Sequence, residues 1–115
     1  MNKFELDPVL QRDRELADRV KSLAPVVGEV IGTDGSQVNV SWRLEKEDPL
    51  HPFIVLNLSE WSYPWGVDRG FAPSELVDTR RFRRLVLDSL FDLRWAQFQK
   101  TLTELKAMTF EEVAS

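Results

Sequence analysis

Apolar positions in the first quarter of the chain recur at helical spacing. Val9, Leu16, Val20 and Leu23 share one face, while Arg12, Asp13, Arg14, Glu15, Asp18, Arg19 and Lys21 cover the rest. Asp7-Pro8 places a capping side chain ahead of a proline whose missing N–H costs nothing in a first turn. This pattern predicts an amphipathic surface helix over 8–23, with Pro25 ending it.

The period then changes. Val26–Thr33 and Ser36–Leu44 are rich in β-branched residues and flank Asp34-Gly35, the pair that favours a two-residue hairpin turn. With that turn, Ile31 faces Val38 and Val27 faces Trp42, so the apolar residues gather on one side; Glu29 alone spoils it. Lys46–Pro52 is a polar loop with two X-Pro bonds. Phe53–Leu58 reads as a third strand, apolar on both faces at its start. The expectation is a three-stranded antiparallel sheet.

Trp61–Pro73 is irregular, and from Ser74 to Ser115 there is neither glycine nor proline. Ser74–Val77 forms a first turn in this reading, and Asp78 or Thr79 caps a helix, or two nearly continuous ones, running to about Met108. Thr109-Phe110-Glu111-Glu112 has the spacing of a capping box and predicts a last short helix. The fold class is therefore α+β: an N-terminal helix, the sheet, an aromatic loop and a long C-terminal helix or helical pair, in one domain spanning 1–115.

The long helix carries two apolar stripes. Phe82, Leu85, Val86, Leu90 and Leu93 lie on one side; Leu87, Phe91, Trp95, Phe98, Leu102 and Leu105 lie nearly opposite. A helix on a sheet needs one stripe. Thirty helical residues also reach about 45 Å, against a diameter of about 35 Å for a domain of this size. Three outcomes use the surplus: a break near Leu93–Ala96 that folds the helix back, pairing with a second copy, or contact with a different protein. Two-fold homodimers are the commonest oligomers, so Phe91, Trp95, Phe98, Leu102 and Leu105 are the expected self-association residues.

Composition narrows the chemistry. The 115 residues contain no cysteine, one histidine and a net charge of −4, which removes disulfides and thiolate nucleophiles and favours solubility. Met1–Asp7 has no apolar stretch of the signal-peptide kind, and no segment approaches the roughly 20 apolar residues of a membrane span. A soluble, acidic, cytoplasmic protein without a membrane partner is expected. His51, near Asp48, is the only imidazole available for an acid–base enzyme; no G-x-S-x-G, phosphate-binding glycine loop or metal-ligand spacing accompanies it. No catalytic residue, cofactor or metal site is assigned.

Two surface features remain. Trp61, Tyr63, Trp65, Arg69 and Phe71 combine aromatic area with small residues, as recognition loops do. Arg80, Arg81, Arg83 and Arg84 crowd a helix start, where the macrodipole is already positive. Glu75, Asp78 and Asp88 can offset them, or an external anion or acidic partner can. With Arg69, Lys100 and the aromatics, the cluster could bind nucleic acid, but the acidic balance and the lack of a recognised nucleic-acid motif disfavour it. The favoured expectation is a non-catalytic protein acting by protein–protein contact (a regulator, adaptor or inhibitor of a protein partner) that self-associates as a homodimer.

Overall fold

Side chains alternate most clearly along Asn39–Glu45, where Val40, Trp42 and Leu44 are buried between half-exposed polar neighbours, and this decides which sheet face becomes the core. The computed structural model describes residues 3–32, 37–60 and 66–114, the last five by backbone alone. Its sheet contains β1 (Lys3–Leu6), β2 (Asn39–Glu45), β3 (Phe53–Ser59) and β4 (Val67–Phe71), in that spatial order. β1 runs parallel to β2, and the other two pairings are antiparallel. Register places Val40 beside Phe4 and Leu58, Trp42 beside Leu6 and Leu56, and Ile54 beside Leu44 and Phe71. One face is thus almost wholly apolar.

Helices α1 (Pro8–Arg12), α2 (Arg14–Ser22), α3 (Ala24–Gly32) and α4 (Thr79–Ala114), with a 3-10 turn at Pro73–Leu76, share one hydrophobic cluster with that face. Its centre is aromatic. Trp42 stacks on Phe82 with centroids 6.0 Å apart and planes at 19°, and Phe71 tilts against both rings. Such contacts add to area burial in fixing ring geometry. Trp42 Nε1 is buried without a hydrogen-bond partner among the described residues, and nothing in the structure explains it.

The opposite face is largely polar, with Val55 and Phe53 as its apolar members. Arg43 bonds Glu45 at 2.7 Å and Asp68 at 3.1 Å, and the Asn57 amide donates to Asp68 at 2.8 Å. The Arg43 guanidinium, then the Asn57 amide, hold the Asp68 carboxyl below its ordinary pKa.

Several expectations are corrected. The hairpin does not form: Ala24–Gly32 is helix α3, and the Asp34-Gly35 turn lies outside the described residues. Leu23, Val27, Val30 and Ile31 are all buried, at i, i+4, i+7 and i+8, a helical period hidden within a β-rich composition. Pro25 sits in the first turn of α3, where proline is tolerated, so it opens a helix instead of closing one. Glu29, which spoiled the hairpin face, is exposed and bonds Arg83 at 2.9 Å.

The helix expected over 8–23 is two helices. Asp13 leaves the helical path at φ −92°, ψ 92°, ends α1, and accepts the Leu16 N–H to start α2. This shift of phase buries Leu10 and leaves Val9 42% exposed. The sheet is four-stranded and mixed, not three-stranded and antiparallel. β4 emerges from the segment expected to be an aromatic loop, entered through Gly66, whose Cβ would come within 2.8 Å of the Leu58 carbonyl.

Asp78 caps α4 by accepting the Arg81 N–H. The helix then runs unbroken for 36 residues. It does not break at Leu93–Ala96, where a fold-back was one of the expected outcomes, and Leu93 and Gln97 are buried there. No capping box opens at Thr109: its hydroxyl donates to the Leu105 carbonyl within the same helix.

Phe82→Ala removes one of three central rings and is expected to cost about 3–5 kcal/mol, read by urea denaturation. Because its folded pKa is depressed, Asp68 contributes stability above the unfolded carboxyl pKa and loses it as the pH falls through the lowered folded value. Its side chain is half exposed, so the contribution is at most ~1 kcal/mol. Asp68→Asn should therefore trail the wild type by that margin at pH 7, with the gap closing below about pH 4.

Candidate interaction surface on the outer face of α4

A 36-residue helix measures about 54 Å, and the molecule's longest dimension is 60 Å. Its radius of gyration, 17.0 Å, exceeds the ~13 Å of a compact chain this long. The difference is a projecting helix. Phe82, Val86, Ser89, Leu93 and Gln97 face the body and are buried, whereas every residue from Thr101 to Thr109 is exposed.

On the far side of the same helix Phe91 is 66% exposed, Trp95 52%, Phe98 53%, Leu102 39% and Leu105 52%. The three rings form a ladder, with Phe91–Trp95 centroids 6.4 Å apart and planes nearly parallel, and Trp95–Phe98 centroids at 5.8 Å. Leu87 and Met108, also exposed, extend the apolar surface at either end; Leu87 falls on the predicted stripe, while Met108 lies off its axis and was missed. The five expected self-association residues thus form one continuous outward stripe.

The other predicted residues do not join it. Trp61, Tyr63 and Trp65 lie outside the described residues. Phe71 is fully buried in the aromatic core, so it is unavailable to a partner. Arg69 turns onto α4, donating to the buried Ser89 hydroxyl at 3.2 Å and to Asp92 at 3.4 Å.

The arginine cluster is largely neutralised from within. Arg81 pairs with Glu75 at 3.4 Å, Arg83 with Glu29 at 2.9 Å and Arg84 with Asp88 at 3.6 Å. Arg80 is exposed and has no ion-pair partner among the described residues. Further along α4, Arg94 donates to Glu60 and to the Gln97 side-chain oxygen Oε1, and Gln97 Nε2 is buried with no hydrogen-bond partner among the described residues. No sequence signal marked this polar inset.

His51 Nδ1 lies 2.9 Å from Asp48 Oδ2, and Asp48 also accepts the Leu50 N–H. The imidazole, then that amide, lower the Asp48 pKa. The loop is self-capped, with the imidazole 81% exposed. A depression of about 570 Å³ lined by Phe4, Glu5, Leu6, Gln11 and Lys21 contains no serine, histidine or carboxylate pair. Among the described residues, no group of three His, Cys, Asp or Glu side chains could hold a metal, and no helix is long and apolar enough to cross a membrane.

No family model, curated protein or solved structure matches the chain.

The Arg83–Glu29 pair is half exposed on both sides, so Arg83→Ala is expected to change unfolding free energy by less than ~1 kcal/mol, measured by urea titration.

Proposed function

We propose that this is a non-catalytic protein that acts by protein–protein contact, and that it self-associates through the outer face of α4. The observation that carries the reading is the stripe from Phe91 to Leu105, exposed along a helix that outruns its own domain. Contiguous apolar surface of this kind on a small protein marks an interaction site. Aromatic anchors are the side chains that dominate binding energy at interfaces.

The projecting end needs help of another kind. The last 14 residues of α4, 101–114, are near the length at which isolated helices are marginal in water, and 101–109 are all exposed. Thr101, Thr103 and Thr109 each bond back to the carbonyl four residues earlier, a habit that slightly weakens and bends helices. A second helix along the stripe would supply the missing tertiary support. Nucleic-acid binding through Arg80–Arg84 is less well supported, since Arg81, Arg83 and Arg84 already meet carboxylates.

Sedimentation equilibrium tests this reading. The wild type is expected to associate beyond its 13.4 kDa chain mass, and Trp95→Asp and Phe98→Asp are expected to return it to monomer while leaving the circular dichroism of the sheet domain intact. A wild type that stays monomeric at high concentration contradicts it.

A further inference from the structure

The outer stripe has a finer pattern than a simple helical face. Phe91, Trp95, Phe98, Leu102 and Leu105 are separated by four, three, four and three residues. Alternating 4–3 spacing averages 3.5 residues, the repeat of a left-handed two-helix seam. The spacing also identifies the side chains that border the seam. Asp92 and Lys106 lie on one border, two heptads apart, with Gln99 midway; Thr101 lies on the other.

Resting on the self-association reading above, we propose that the occupant of this stripe is a second copy of α4 running antiparallel, with the two-fold axis near residue 100. In that register Trp95 meets Leu105 of the second copy and Phe98 meets its Leu102. Each large ring then faces a smaller side chain, the arrangement that packs without voids. The seam ends with Phe91 against Thr109.

Charge selects this register. It brings Asp92 opposite Lys106 of the other copy, twice by symmetry, and Gln99 opposite Gln99 on the axis. Lys106 is exposed with no ion-pair partner among the described residues. Asp92 is half exposed and bonded through Oδ2 alone among them, to Arg69 at 3.4 Å. A parallel, in-register pair places Trp95 on Trp95, sets Lys106 beside Thr101 and Asp92 beside Leu87, and aligns the helix dipoles unfavourably. Sliding the antiparallel pair by one heptad sets Asp88 against Leu105 inside the seam. Of these arrangements, the register centred near residue 100 keeps charge out of the seam and pairs Asp92 with Lys106 on its border.

Size is sufficient. Five half-exposed side chains of this class hide on the order of 100 Å² each, so two copies remove on the order of 1,000 Å², the lower limit for a specific interface. The resulting rod carries its two sheet domains at opposite ends, a bivalent shape.

The chain lacks cysteine, so Arg80→Cys offers a single site for a spin label, away from the seam. Pulsed electron resonance should give a label separation of about 60 Å, forty residues of helix at 1.5 Å each. A separation below about 30 Å in a protein that sediments as a dimer overturns the antiparallel arrangement but leaves self-association standing. A monomer in the same sample overturns both. Independently, Lys106→Glu and Asp92→Lys should each weaken dimerisation by roughly tenfold, and the double exchange should restore it. No restoration contradicts the register.

Discussion

A single unbroken helix, apolar on two opposite sides, is the constraint from which the rest of the structure follows. The inner side of α4 sets Phe82 onto Trp42 and Phe71 and closes the one apolar face of the sheet. The sheet's other face is spanned by Arg43, Asp68, Asn57 and Glu45 and has no need of a second layer. The domain's own hydrophobic demand is therefore met by the first half of the helix. The aromatic ladder on the opposite side of the helix, and residues 101–109 beyond it, stay exposed.

Much of this was legible beforehand because helix and strand periods were unambiguous where packing was one-sided. Strands expected at 36–44 and 53–58 are found at 39–45 and 53–59, the helix start expected at Asp78 or Thr79 falls at Asp78, and both stripes of α4 follow from spacing. Ala24–Gly32 was not legible in that way. A run of valines and isoleucine beside Asp-Gly has strand composition, and its burial at helical spacing became decisive only when α4 supplied a surface for it to pack on. The single discordant residue, Glu29, was the clue, since it belongs to solvent in a helix and to the core face in a hairpin. β1 is four residues long, too short for its alternation to stand out. Asp13 caps without glycine or proline to announce a break.

The candidate surface shows the same division. The outward aromatics are visible as a stripe because helix periodicity is local, and Glu75, Asp78 and Asp88 are visible as neighbours of the arginines for the same reason. Arg83 finds Glu29 from 54 positions away, and Phe71 is claimed by the core through strand pairing with Ile54; neither follows from proximity in sequence. Thr109 shows the limit of motif reading: a capping-box pattern within a run free of glycine and proline does not stop a helix that nothing else interrupts.

The central claim is that another chain covers the outer face of α4, and hydrogen exchange measured across a range of protein concentrations tests it most directly. Amide protection over residues 91–109 is expected to rise with concentration, while that of β2 and β3 stays constant. Exchange in 101–109 that is fast and independent of concentration would contradict the account.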